Sequence, residues 1–224
     1  MPSEVQIKSM FNNISGSYDL LNDLMSLGIH RIWKKNLVSS ITQNNPKAVL
    51  DCATGTGDIA IAVKNTLPSA RVAGGDFSEN MLQEAIKKTD KIDWSVSDVM
   101  KLDFADNEFE VSSISYGIRN VEDHTLALKE MARVSSKKVC VLEFGQPQFI
   151  PFKMVYFAIM NYFMPFMGKL FKKEEAYKYL VDSSKAFPCA DEFAAQMKEA
   201  TGFSHVEYKP FFGGVTYLYV ASNK

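Results

Sequence analysis

Five short apolar runs punctuate residues 48–144, and helical patterns separate most of them. Ala48–Cys52, Arg71–Gly74, Ile92–Val96, Val111–Tyr116 and Lys138–Glu143 read as strands, with Asp76 and Asp98 closing the second and third. Asp58–Thr66, a stretch from Ser78 to Lys88, and Glu122–Val134 read as helices. Ser78 is placed to cap its helix, because a serine oxygen can accept a first-turn N–H, and Pro68 stands past the end of the first helix. Parallel strands need long crossovers, and a helix is the usual one. The rhythm therefore predicts an α/β chain, with a parallel sheet covered by helices on both faces and right-handed crossovers.

The flanks break the rhythm. Across 5–42, Val5, Met10, Ile14, Tyr18, Leu21, Leu24, Met25, Trp33, Leu37 and Ile41 recur at helical spacing, interrupted by Gly16 and Gly28. That predicts an N-terminal cap of two or three helices. Asn44-Asn45-Pro46 is a loop. After Phe144 comes an aromatic, Met-rich insert, 147–187, helical over about Pro151–Lys185. Its most apolar stretch, Met154–Gly168, holds 15 uncharged residues between Lys153 and Lys169, short of the roughly 20 that span a bilayer. A helix at Asp191–Thr201 follows. Two strands, His205–Pro210 and Val215–Ala221, then read as an antiparallel edge. At 224 residues the whole fits one domain, 1–224.

Charge and cysteine usage remove several function classes. Net charge is −1 and the lysine pairs are scattered, so no basic stripe invites nucleic acid. Cys52, Cys140 and Cys189 are widely spaced, with no Cys-x-x-Cys, which fits a reducing compartment without disulfides or a zinc cluster. His30, His124 and His205 lie far apart and no His-Glu-x-x-His occurs, so no metal is expected. His124, in a polar run, reads as a surface residue and His205 as structural. Met1–Phe11 carries no signal-peptide core, and a cytoplasmic location is expected.

The loop after the first strand, Leu50-Asp51-Cys52-Ala53-Thr54-Gly55-Thr56-Gly57-Asp58, is the sharpest local signal. Gly55 and Gly57 permit a tight turn and close approach of a ligand, and ligands of open α/β sheets bind beyond the strand ends. Gly55-x-Gly57-x-x-Ala60 also fits the dinucleotide fingerprint, and Asp76 lies at the spacing of a ribose-binding acid. Three features favour a sulfonium methyl donor over a nicotinamide. Asp51 could accept from a cationic amino-acid group and would sit badly beside a pyrophosphate. Asp98 could accept from an adenine amine, or simply cap a helix. No Tyr-x-x-x-Lys pair occurs. Asp76 could take both ribose hydroxyls. The P-loop motif is absent.

Longer motifs carry a family resemblance. Tyr18-Asp19-Leu20-Leu21-Asn22-Asp23-Leu24-Met25-Ser26-Leu27-Gly28-Ile29-His30-Arg31-Ile32-Trp33-Lys34 closely resembles the N-terminal signature of the ubiquinone/menaquinone biosynthesis C-methyltransferases, the UbiE/MenG type. Ser115-Tyr116-Gly117-Ile118-Arg119-Asn120-Val121 is similar to their second signature, and Leu142-Glu143-Phe144 with Pro147 to a third. Glu175-Ala176-Tyr177-Lys178-Tyr179-Leu180, with Ser183 and Phe187-Pro188, resembles a fourth. The likeness runs from about Phe11 to Gly214. It implies a class I, Rossmann-like methyltransferase fold with a seven-stranded, mostly parallel sheet. It implies S-adenosylmethionine as donor and a prenylated quinol as acceptor: demethylmenaquinol, a polyprenyl benzoquinol, or both. Matched by motif, it points to Thr56, Asp76, Asp98, Val99 and Ser115 around the donor. Two departures stand out: Ala-Thr-Gly-Thr-Gly replaces the commoner Ala-Gly-Gly-Thr-Gly, and Thr216-Tyr217-Leu218-Tyr219 stands where a histidine is frequent. The chemistry competing with this is methyl transfer to an O or N centre, or nicotinamide oxidoreduction.

On that reading 48–144 is the donor-binding core, with Asp51, Gly55, Thr56, Gly57, Asp76, Asp98, Val99 and Ser115 as its contacts. C-methylation of a quinol needs a phenolate whose charge reaches the ortho carbon. Arg119, always charged, is the candidate to stabilise it, against the alternative of a salt bridge to a nearby carboxylate. Asn120 is placed to orient a substrate oxygen, or to cap the next helix. Tyr18 is placed to relay the hydroxyl proton, or to pack as a cap aromatic; Asp19 and His30 are weaker candidates for base. The insert has too many apolar residues for one helix face. It suits a prenyl tail, transient contact with a membrane surface, or a second copy of the chain.

Overall fold

The computed structural model describes residues 7, 9, 12, 13, 23, 28–170 and 174–223, and within these the side chains of all but 163–170 and 174–177. The elements are α1 (His30–Thr42), β1 (Ala48–Cys52), α2 (Asp58–Thr66), β2 (Arg71–Asp76), α3 (Glu79–Lys88), β3 (Asp93–Val96), β4 (Phe109–Ser115), α4 (His124–Arg133), β5 (Ser135–Phe144), α5 (Ile150–Leu170), α6 (Glu174–Ala186), α7 (Asp191–Thr201), β6 (His205–Phe211) and β7 (Thr216–Ser222). Of the expected N-terminal cap, α1 is described; Tyr18 and Asp19 lie outside the described residues.

Side-chain alternation accounts for the sheet's coverage. Along β5, Val139 and Val141 enter one core layer with Phe109, Leu128, Met131, Phe193 and Tyr219, and Cys140 and Leu142 enter the other with Trp33, Leu37, Ile41, Val49 and Val63. Both faces of a central strand are thus buried, and for that reason the stretch 139–142 is apolar without interruption. The helices dock by spacing and caps. Trp33, Leu37 and Ile41 line one side of α1. Ser78 accepts from the Met81 N–H at the start of α3, and Asp123 from the Leu126 N–H at the start of α4.

The seven strands run in the order β3-β2-β1-β4-β5-β7-β6. β1 to β5 are parallel, and β7 is antiparallel to both β5 and β6. The seven-stranded, mostly parallel α/β sheet is the one expected. The closing pair is the expected antiparallel edge, with β7 inserted between β5 and β6, and β6 outermost. Tyr217 and Tyr219 give the reason. Both are 1% exposed, too buried for an outer strand, whereas β6 has no buried position. The reading of His124 as a surface residue is corrected. The residue is half-buried, 5.7 Å from the Phe187 ring and 3.1 Å from Gln196 Oε1, because the insert and α7 cover the end of α4.

The order of strands reverses between β1 and β4, which pair Asp51 with Ser113 and Cys52 with Ile114. The loops leaving their carboxyl ends therefore lie side by side over a crevice, where a sheet of this kind takes its ligand.

Candidate active site

Residues at the carboxyl ends of β1, β2, β3 and β4 enclose a cleft in that crevice. Gly55, Asp76, Asp98, Val99, Ser115 and Asn120 line it, six of the residues expected from sequence. Ala53, Phe77, Met81, Ser97, Met100, Tyr116, Gly117, Val121 and Glu122 complete the lining. Among the described residues the lining contains three carboxylates, Asp76, Asp98 and Glu122, and neither lysine nor arginine. A pyrophosphate would find no cation among these residues, whereas a cationic ligand would find a favourable field.

The acids are held by backbone. Asp76 Oδ2 accepts from the Gly55 N–H at 2.7 Å, and Oδ1 from the Ser78 N–H at 2.8 Å. The end of β2 thereby fixes the glycine loop and the start of α3 together. Asp98 Oδ1 accepts from the Met100 N–H at 2.8 Å, so it stiffens the turn after β3. The side chain caps a turn and lines the cleft at once. Ser115 Oγ is buried without a hydrogen-bond partner among the described residues, a donor held in reserve at the wall.

Asp51, Thr56 and Gly57 are not among the lining residues. Asp51 lies beneath the loop. Its oxygens accept from Thr54 Oγ1 at 2.6 Å and Ser113 Oγ at 2.8 Å, and burial pushes its carboxyl up to about 6. Thr56 is 3% exposed. Gly57 holds φ +85°, and a Cβ there would approach Trp94 Cη2 to 2.6 Å; glycine is required both for conformation and for space. A Cβ on Gly117 would stand 2.7 Å from Ala53 Cβ, so the loops after β1 and β4 close on each other through this glycine.

Behind the β4 loop lies a charged pair. Arg119 Nη1 donates to Glu143 Oε1 at 2.6 Å and to the Tyr116 carbonyl at 2.8 Å. Glu143 is fully buried and Arg119 is 7% exposed. The Glu143 carboxylate also accepts from the N–H groups of Phe144 at 2.8 Å and Arg119 at 3.4 Å. Burial raises its protonation range, and Arg119 works against that rise. The guanidinium lies 5.1 Å from the Phe144 ring centroid. Arg119 Nε is buried without a hydrogen-bond partner among the described residues. A buried, unpaired donor on a cation costs free energy unless something arrives to accept from it.

Asn120 bridges the β4 loop and the insert. Its Nδ2 donates to the Tyr116 carbonyl at 3.3 Å, and its Oδ1 accepts from Tyr179 Oη at 2.9 Å. Tyr156 on α5 is another insert tyrosine near Arg119. Burial pushes it up to about 12, and the Arg119 charge pulls against that. Glu143, Tyr156 and Tyr179 were not singled out by sequence reading, although Glu143 and Tyr179 stand inside quoted signatures. The signal was there for Glu143: an acid at the carboxyl end of an apolar run, facing an arginine on the neighbouring loop. His30 is elsewhere, 7% exposed on α1 and 3.8 Å from Asp23. No group of three or more metal-ligating side chains gathers among the described residues.

The model of the ubiE/COQ5 methyltransferase family matches residues 2–223 of the chain. A Bdellovibrio bacteriovorus protein named ubiquinone/menaquinone biosynthesis C-methyltransferase UbiE is 43% identical over 230 residues, covering 100% of this chain and 98% of its own length. A Staphylococcus carnosus demethylmenaquinone methyltransferase is 40% identical over 223 residues, covering 96% of this chain and 92% of its own. Among solved structures, a SAM-dependent methyltransferase from Thermotoga maritima superposes with a TM-score of 0.65 at 16% identity, covering 96% of this chain and 100% of that one. Its likeness is one of fold.

Proposed function

This chain belongs to the ubiE/COQ5 methyltransferase family, and on that premise we propose that its cleft holds S-adenosylmethionine while Arg119 and Asn120 receive the ring of a prenylated quinol. The reaction is C-methylation in quinone biosynthesis, the activity that its relatives' names describe. The donor supplies an electrophilic methyl group on a cationic sulfur. Asp76 takes the ribose hydroxyls and Asp98 the adenine amine, with Val99 against the base. The three carboxylates of the lining suit that cation. Thr56 and Gly57 keep the loop's shape, Asp51 holds it from below, and Ser115 reaches the donor from β4.

The observation that carries the acceptor reading is the unpaired Nε–H of Arg119, buried directly behind the cleft-lining turn. When a quinol hydroxyl loses its proton, the oxyanion can accept from that N–H, and charge spreads to the ortho carbon. Such preorganised donors are worth most where water is absent. Glu143 anchors the other edge of the guanidinium, so that Nε keeps its aim. Asn120 orients the ring oxygen. Tyr18 remains the proposed proton relay.

The insert would meet the acceptor's tail. Ile150, Met154, Val155, Ile159 and Tyr162 on α5, with Phe149 and Phe212, are exposed large hydrophobics, suited to a prenyl chain or a membrane surface. A second copy of the chain would use the same face. No described helix is long and apolar enough to cross a membrane. The deciding experiment is methyl transfer from labelled S-adenosylmethionine to reduced demethylmenaquinone and to a reduced, demethylated prenyl benzoquinone in detergent. Label on a ring carbon establishes the reaction, and the ratio assigns the acceptor. Donor binding without labelling of either quinol would remove the substrate assignment.

A further inference from the structure

Tyr179 belongs to the insert, yet its hydroxyl reaches Asn120 Oδ1 at 2.9 Å. Asn120 in turn donates to the Tyr116 carbonyl, which also receives Arg119 Nη1. Tyr116 holds φ +56°. A non-glycine residue keeps such a conformation only where its surroundings hold it. Tyr116, Gly117 and Asn120 all line the donor cleft. One hydrogen-bonded path thus leads from α6, through a strained turn, to the wall of the cleft, and Arg119 shares its central acceptor. Burial raises the titration of Tyr179, so its hydroxyl stays protonated and donates at neutral pH.

We propose that Tyr179 is a positioning residue that couples the two substrates: an acceptor seated beside Arg119 holds α6 against the β4 turn, the Tyr179–Asn120 bond fixes that turn, and the cleft then grips the donor more tightly. The inference rests on the reading of the Arg119 region as the acceptor site. Coupling of this kind is reciprocal, since each ligand must change the other's affinity by the same factor.

Calorimetric titration of S-adenosylhomocysteine, with and without demethylmenaquinone bearing two prenyl units, measures that factor. In the wild type the quinone tightens the titrant about fivefold or more. Tyr179→Phe keeps the ring and removes the hydroxyl. Its affinity without quinone stays within about twofold of wild type, and the tightening disappears. Asn120→Ala breaks the same bond from the other side and abolishes the tightening too. A merely structural tyrosine would lower stability and leave the coupling factor intact. Equal tightening in Tyr179→Phe, or none in a wild type that binds and methylates the quinol, overturns the coupling alone. A wild type that neither binds the quinone nor methylates the quinol overturns the acceptor reading, and the coupling falls with it.

Discussion

Replacing Arg119 tests catalysis and stability together, and the structure shows how to separate them. Arg119→Met leaves the Glu143 carboxylate, fully buried, without its cation. Breaking one side of a buried pair costs about 3–5 kcal/mol. The loss is pH-dependent. Glu143 already titrates above the usual carboxylate range, and without Arg119 it rises further. A raised folded-state value means stability that is present at low pH and lost as pH climbs. The deficit should therefore be small near pH 5 and grow toward pH 8. Adding Glu143→Gln removes the stranded charge, and the double variant should recover to within about 1–2 kcal/mol of wild type, because replacing both partners is far cheaper than removing one. Activity should not follow. Without the Nε–H aimed at the phenolate, kcat should stay about 10²–10³-fold low, the usual loss for one oxyanion donor. Urea unfolding at pH 5 and pH 8 and single-turnover methyl transfer are the assays. If activity returns with stability in the double variant, Arg119 is a structural residue and its proposed role is wrong.

Asp76→Ala should weaken S-adenosylmethionine binding about 10²-fold or more in calorimetry, since it removes the charged ribose acceptor and frees the Gly55 and Ser78 N–H groups; unchanged affinity would remove Asp76 from the site. Asp51 rises from 3.8 to about 6, so ionising it costs the folded state about 3 kcal/mol. Stability relative to Asp51→Asn should therefore be highest below about pH 4 and fall as pH passes about 6, and a pH-independent difference in urea midpoints would contradict this. Gly57→Ala should lose about 1–2 kcal/mol from the left-handed conformation alone, and displace Trp94, which the new methyl would strike. Trp94 fluorescence would report that displacement, and an unaltered spectrum with unaltered stability would refute the packing argument.

The layers of the fold were legible because its constraints are local. β1 lies among buried strands and is apolar at every position but Asp51, and a helix opening with Ser78 or Asp123 announces itself through capping chemistry. The place of β7 was not legible. The sequence presents it beside β6, and its second neighbour, β5, stands more than 70 residues earlier. Only the burial of Tyr217 and Tyr219 hints at two partners. The cleft followed from the glycine loop and the strand-end acids, since both are consequences of where parallel strands end. Glu143 and Tyr179 were harder. Each acts through another side chain, Arg119 or Asn120, and such pairings are set by packing rather than by spacing. Asp51 shows the same limit from the other side: its type was read correctly as an acid at the strand end, but its two hydroxyl partners decide where it points.

The position of β7 also bears on how the chain is made. Ribosomal synthesis delivers β5 and then β6 before the strand that separates them. Until 216–222 emerge, the nascent sheet shows the long flank of β5, with Val139 and Val141 on one face and Cys140 and Leu142 on the other, open to any passing strand. Insertion of β7 sutures β5 and β6 in a single late event, with ladders on both sides. Mutations that slow this closure would lower yield through aggregation of unfinished molecules while leaving the finished enzyme unimpaired.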